Sequence, residues 1–384
     1  MKKQTKTILM LSWRDIKNPY MGGAEVFTHE VLKRLAKYGY RIIHFSPVFE
    51  GAARKEKIDE IYYLRQGNVF SVIFHAMVFY KKNRKSIDLV IDQCNTHHFF
   101  TPLWVEKGKR AFLIFQLCRE LWSVMMPGII GKIGYFLELP LLRLNRHDLT
   151  FTESESVRQE LIQIGFEKDK VHIIPIGLNF TPWDPKCFLP KEKDPTFIYV
   201  GRYARYKGIN DLITAFGMLK QEYPQAKLWL VGKKDEKYIH DILEPLWEKY
   251  NLNAGNQEQD DIRLWGFLDE EKKKELQSRA HALVFPSLRE GWGMIVTEAA
   301  AVGTPSIVYN CTGGVDAIDY GRAGYLCREN TIKELYTKMK EVIEDKKEYQ
   351  KRRRQAYEFA KHFSWNGSVE RLKSILVKIG LESK

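Results

Sequence analysis

His281-Ala-Leu-Val-Phe-Pro-Ser287, then Leu288 and Arg289, then Glu290-Gly-Trp-Gly-Met-Ile-Val-Thr-Glu298-Ala-Ala-Ala301, reads as strand, glycine turn and helix. The apolar run is short and closed by Pro286, as a buried strand is. The alanines are strong helix formers, and Gly303-Thr-Pro305 stops the helix. Glu290 thus sits on a glycine turn and Glu298 a turn or two into a helix, both near the carboxyl end of a strand. Open α/β sheets bind ligands there. A carboxylate only accepts hydrogen bonds and has several lone-pair sites, which suits paired hydroxyls such as those of sugars and ribose. The plainer reading is a helix start where acids are favoured by the macrodipole.

The same alternation extends in both directions. Thr7-Ile-Leu-Met-Leu-Ser12 is an apolar strand, followed by a loop ending in Gly22-Gly23 and a helix from about Ala24 to Tyr38 with Phe27, Val31 and Leu35 on one face. Arg41–Phe45, Ile87–Ile91 and Ala111–Phe115 read as later strands. Around residues 181–195, Pro and charge dominate, as in a linker. Alternation restarts at Thr196-Phe-Ile-Tyr-Val200 and continues through Lys227–Val231, Asp261–Trp265 and Pro305–Tyr309. The expected fold is two doubly wound α/β domains, 1–180 and 196–384, joined by 181–195, with the last helix a candidate to pack back on the first domain. A cleft between them is the default ligand site.

At 384 residues the chain exceeds what one core usually fills. Net charge is +13, of which residues 1–180 carry +9 (27 Lys+Arg, 18 Asp+Glu) and the rest +4 (34 and 30). The first half should therefore meet any anionic partner. The five cysteines are scattered and form no Cys-x-x-Cys pair, which argues against a disulfide framework or zinc site and suits a reducing compartment. Lys2, Lys3 and Lys6 precede Ile8–Leu11, but that run is too short for a signal peptide, so the expectation is a cytoplasmic chain.

Gly201-Arg-Tyr-Ala-Arg-Tyr-Lys-Gly208 places Arg202 and Lys207 on the turn after a strand and before a helix. A guanidinium fork, a mobile ammonium and helix-end amides together make an anion site. A solvated basic loop is the bland counterpart. Gly22-Gly23 is the similar feature of the first half, where an ordinary turn is the plainer reading. The chain lacks Gly-x-Gly-x-x-Gly, the P-loop pattern, Gly-x-Ser-x-Gly, Asp-x-Asp and His-x-x-x-His. Dinucleotide, P-loop and serine-hydrolase chemistry lose their fingerprints, and no metal site is evident.

Gly22-Gly-Ala-Glu25, Gly201-Arg…Lys207-Gly208, Phe285-Pro-Ser…Glu290-Gly-Trp-Gly…Glu298-Ala and Gly303-Thr-Pro305 together resemble the retaining glycosyltransferases of family 4. So do Thr152-Glu-Ser-Glu-Ser156, Ile174-Pro-Ile-Gly177 and Phe363-Ser-Trp365. The resemblance implies the GT-B fold of two facing Rossmann-like domains. It implies that Arg202 and Lys207 hold the diphosphate of a nucleotide-sugar, that amides of Gly22 and Gly23 meet the distal phosphate, and that Glu298 accepts from ribose. Glu290 would hold hydroxyls of the transferred hexose, helped by amides around Gly291, Trp292, Gly293 and Met294. Trp265-Gly-Phe267 is a weaker candidate for the nucleobase wall. No metal or other cofactor is expected. One departure stands out: the family often has a histidine at the end of the strand where this chain has Phe115. Gln116, Arg119, Glu120 or His98 could supply the missing sugar contact.

The first domain would hold the acceptor, a glycan or a lipid-linked sugar. Asn68–Tyr80 is apolar and runs into Lys81-Lys-Asn-Arg-Lys85, and 121–137 is a second apolar stretch. Both suit an anionic membrane surface at its inner face, and equally a pair of buried helices. Two other functions stay open: a sugar-nucleotide epimerase or phosphorylase on the same fold, and a non-catalytic anion or RNA binder. The diffuse charge and missing aromatic RNA signature weigh against nucleic acid. The sugar, the base, the linkage and the oligomeric state are not readable from the sequence.

Overall fold

In a computed structural model, which describes residues 5–126 and 128–383, the alternation builds two parallel sheets, each in its own compact unit. Lys2, Lys3 and Pro127 lie outside the described residues. The elements up to Gly177 are β1 (Thr7–Leu11), α1 (Gly23–Lys37), β2 (Arg41–Ser46), β3 (Lys55–Ile58), β4 (Ile61–Arg65), α2 (Val72–Asn83), β5 (Leu89–Cys94) and β6 (Arg110–Ile114). They continue with α3 (Leu121–Met125), α4 (Ile129–Leu142), β7 (Leu149–Thr152), α5 (Glu155–Gln163) and β8 (Val171–Ile173).

The first sheet has the order β3-β4-β2-β1-β5-β6-β7-β8, parallel except for the β3–β4 pair. The chain steps from β1 to β2 on one side and returns to β5 on the other, so strand order reverses between β1 and β5. In-register neighbours share a face: Leu9 with Val90, and Leu11 with Asp92 and Phe112. That face packs on α2 through Val72, Ala76 and Tyr80, and on α4 and α5 through Leu142, Val157 and Leu161.

The second unit begins with β9 (Thr196–Val200), α6 (Ile209–Glu222), β10 (Lys227–Val231), α7 (Glu236–Tyr238), α8 (Glu244–Lys249), β11 (Ala254–Gly255), β12 (Ile262–Gly266) and α9 (Glu270–Arg279). Then come β13 (Ala282–Phe285), α10 (Met294–Ala301), β14 (Ser306–Tyr309), α11 (Gly314–Ala317), β15 (Tyr325–Cys327), α12 (Ile332–Glu344) and α13 (Lys346–Ala360). Its sheet, β11-β12-β10-β9-β13-β14-β15, is parallel throughout and reverses order between β9 and β13. Phe197, Tyr199, Leu228, Leu230 and Val284 form its buried centre with Leu212, Phe216 and Leu219 of α6.

The unit boundaries differ from the sequence partition in two places. Glu120–Gly131 groups with the second unit, and the break falls at Gly177–Leu178. Phe363 onward, with α14 (Trp365–Lys378), groups with the first unit. There Trp365 stacks edge-on against Phe27 of α1 (5.8 Å), and a Cβ at Gly177 would lie 2.3 Å from its backbone nitrogen.

The segment expected to be a linker, 181–195, is a strap laid on the second unit. Trp183 N donates to Ala301 O (3.0 Å). Lys191 Nζ is buried and donates to Ser278 O (2.9 Å), Ala280 O (2.7 Å), Gly303 O (3.2 Å) and Thr304 Oγ1 (2.5 Å). Its ammonium satisfies carbonyls left over where α9 and α10 end. Burial, with Arg353 nearby, pushes its pKa well below the usual lysine value.

Candidate active site in the second unit

The turn after β9 and the turn after β13 meet at the point where strand order reverses. Gly208 has φ +70°, and a Cβ there would lie 2.1 Å from Pro286 O, so only glycine lets the two turns touch. Leu288 N then donates to Tyr206 O (2.9 Å). The two turns deliver Lys207 and Glu290 to each other: Nζ is 2.5 Å from Oε1. Burial works against the charge on Lys207, but Glu290 and Tyr206 beside it outweigh that and hold its pKa above the ordinary value. Lys207 is therefore a fixed cation. Arg202 is exposed on the same turn, and its carbonyl accepts from Tyr199 Oη (2.8 Å).

Glu290 is fixed from a third strand end. Its N donates to Thr312 O (3.1 Å). Gly313 has φ +78°, and a Cβ there would lie 2.4 Å from Glu290 O. The sequence reading missed this loop, although Thr312-Gly313-Gly314 after β14 carries the same glycine-pair signal as Gly22-Gly23. It missed Arg289 too. That buried side chain forks onto Glu120, with Nε 2.9 Å from Oε1 and Nη2 3.3 Å from Oε2.

The start of α10 is shaped by Gly293 (φ +96°), where a Cβ would press on the Phe285 ring at 2.9 Å. Trp292 is buried and donates from Nε1 to Thr297 Oγ1 (2.9 Å), so its ring anchors the turn rather than facing a ligand. Glu298 is nearly buried, and Lys273 of α9 approaches its Oε2 to 2.9 Å, an ion pair off the hydrogen-bonding direction. Burial raises the Glu298 pKa, partly opposed by Lys273. Lys273 was not legible beforehand, because its spacing to Glu298 follows no motif. Trp265 stacks on Arg263 (3.7 Å), whereas Phe267 is 84% exposed at the end of β12.

Arg202, Lys207, Glu290, Glu298, Gly291–Met294 and Glu120 all fall in this unit. The remaining candidates fall in the first unit. Gly22 has extended backbone (φ −153°) before α1, and its N donates to Glu25 Oε2 (2.6 Å), so that amide is already engaged. Gly23 opens α1.

His98 lies on the loop that follows β5. It is buried, with Nε2 3.1 Å from Leu141 O and Nδ1 accepting from Phe100 N (3.1 Å). Both ring nitrogens thus already have partners within the protein. Arg119 stacks on Tyr135 (4.3 Å) and donates to its hydroxyl (2.9 Å). Gln116 is half-buried. Phe115 packs edge-on against Phe27 (5.3 Å), so the position left without histidine is used for packing. Among the described residues no group of three or more His, Cys, Asp or Glu side chains could hold a metal ion.

The family model described as "Glycosyltransferase Family 4" matches residues 21–181, and "Glycosyl transferases group 1" matches 184–359. Glycogen synthase of Mycobacterium tuberculosis is 28% identical over 245 residues, 63% of this chain and 56% of the relative. The chain thus spans little more than half of that relative. Mannosylfructose-phosphate synthase of Agrobacterium fabrum is 23% identical over 92% of this chain and 86% of its own.

Sucrose-phosphate synthase from Thermosynechococcus elongatus superposes with a TM-score of 0.79 at 18% identity, over 98% of this chain and 100% of that one. Anabaena HepE in complex with UDP-glucose gives 0.73 at 16%, over 97% and 99%. The architecture is that of the GT-B glycosyltransferases. The chain belongs to glycosyltransferase family 4.

Proposed function

We propose that this glycosyltransferase moves a hexose from a nucleotide-diphosphate-sugar to a hydroxyl of a glycan or lipid-linked acceptor, with retention and without a metal ion. The observation that carries the reading is the Lys207–Glu290 contact, which joins two motifs 83 residues apart at the reversal point of the sheet. Glu290 accepts from one of the three ammonium protons of Lys207, leaving two for phosphate oxygens. Arg202 adds a second cation on the same turn, and the amides opening α6 and α10 point to the same edge. Glu290 takes sugar hydroxyls and Glu298 takes ribose hydroxyls.

In this reaction the anomeric carbon–oxygen bond to the diphosphate breaks, and its electron pair goes to the leaving phosphate. The acceptor oxygen bonds the anomeric carbon from the same face and gives its proton to that phosphate. Preorganised cations stabilise the growing phosphate charge. Solved neighbours bound to UDP-glucose or UDP support a donor of this class.

The test is thermal stabilisation by UDP-, GDP-, ADP- and dTDP-sugars in the presence of EDTA. Ligand at about a hundredfold over its dissociation constant adds roughly 2.7 kcal/mol. A shift with one nucleotide identifies the donor, and its persistence in EDTA supports the metal-free reading. No shift with any of them overturns the site. Donor consumption without a glycosylated product returns the reading to epimerase or phosphorylase.

A further inference from the structure

Arg289 stands next to Glu290 in the chain, yet its side chain is turned into the protein. Only 9% of it is exposed, against 53% of its partner Glu120. A buried guanidinium that forks onto a half-exposed carboxylate fixes where that carboxylate sits. Arg289 Nε is 2.9 Å from Oε1 and Nη2 3.3 Å from Oε2, so the fork meets one lone pair on each oxygen. A carboxylate has about four such sites, so each oxygen can still accept from a second donor.

The fork also ties Glu120 to the part of the site built around Glu290. Arg289 Nη1 reaches Thr312 Oγ1 (3.3 Å), and the carbonyl of the same threonine accepts from Glu290 N (3.1 Å). Thr312 thus fastens Arg289 and Glu290 to one loop after β14, where Gly313 lies against the Glu290 carbonyl. From the other side α3, which follows Glu120 directly, packs on Arg205–Lys207, the turn that delivers Lys207 to Glu290. The ion pairs Lys207–Glu290 and Arg289–Glu120 are therefore held by the same turns of the second unit. Gln116, Arg119 and His98 belong to the first unit, and Arg119 and His98 already have partners there.

We propose that Glu120 is a further specificity-determining residue, which accepts a hydrogen bond from a hydroxyl of the transferred hexose, and that Arg289 is the positioning residue that aims it. The inference rests on the donor reading given above. Glu290 and Glu120 then grip the sugar through two carboxylates, each with a cation of its own. A neutral ring rich in hydroxyls fits such a site, because no charge is left uncompensated once the sugar covers it. The pair selects by what the sugar can donate. A hexose lacking the matching hydroxyl leaves an aimed carboxylate oxygen without its donor, and a site of this kind rejects such an analogue strongly.

Binding titrations on the whole chain test it. The probes are the glucosyl donor on the nucleotide that gives the melting shift, its mono-deoxy analogues, each lacking one sugar hydroxyl, and the bare nucleoside diphosphate. The wild-type chain should bind several analogues more weakly than the parent donor. In Glu120→Ala the penalty for one of them, about 10- to 100-fold, should vanish while the others stay. Arg289→Lys, which keeps the charge but not the fork, should erase the same penalty, and Glu120→Gln, which keeps an acceptor oxygen, should retain part of it. Affinity for the bare nucleoside diphosphate should stay within a few-fold in all three, which also shows that they are folded. If Glu120→Ala weakens the parent donor and every analogue by one common factor, or changes nothing, the inference is overturned. A penalty that survives Arg289→Lys overturns the role of Arg289. A wild-type chain that binds the nucleoside diphosphate but gains nothing from any sugar sinks this inference and leaves the nucleotide site standing. A chain that binds neither sinks the donor reading itself, and this inference with it.

Discussion

Glu290 helps keep Lys207 charged in a confined place, so removing one changes what the other can do. Lys207→Ala takes away a phosphate cation and leaves Glu290 without its 2.5 Å partner. The expected loss is about 100- to 1000-fold in kcat/KM, with the melting shift by nucleoside diphosphate also lost. Glu290→Gln should leave nucleotide affinity within a few-fold and lower kcat, and steady-state kinetics against a binding titration separates the two. Glu298 predicts a pH dependence. Burial raises its pKa, so it takes up a proton at a higher pH than an ordinary carboxyl. Once neutral it no longer accepts from both ribose hydroxyls, so donor affinity should begin to fall with decreasing pH above the range where an ordinary carboxyl takes up its proton. Titration of the donor down into that range should show the fall in the wild-type chain and a flat line in Glu298→Gln.

The turn between β9 and α6 holds its shape through one residue. Gly208→Ala meets both a positive φ and a backbone carbonyl at 2.1 Å, and should cost roughly 2–3 kcal/mol in a urea titration. Asn, which tolerates such a φ, should do no better, because the collision is with the Pro286 carbonyl rather than with the dihedral. At this scale the sequence was informative. Strand runs such as Thr196–Val200 and the glycine turns could be read because period and turn chemistry are local. Lys191, Arg289 and Lys273 could not be read, because their partners lie on other elements and the pairing exists only after folding.

Across the molecule, both units carry a histidine that folding keeps neutral. Burial lowers His44 in the first unit to about 4, despite Asp15 nearby, and burial with Lys191 lowers His281 in the second to about 4. The unfolded chain binds these protons near pH 6.5, before the folded chain does, so unfolding gains as pH falls. Stability should be level above about pH 6.5 and fall steadily towards pH 4. Urea midpoints followed across that range check it, and His44→Gln should reduce the slope. The chain also crosses between the units four times, at Arg119–Glu120, Gly131–Lys132, Gly177–Leu178 and His362–Phe363. During synthesis, domains usually close in the order in which they emerge. Here the unit that emerges first must wait, its Phe27 face uncovered, until Trp365 and the rest of α14 have left the ribosome, so the later-made unit is the first that can finish folding.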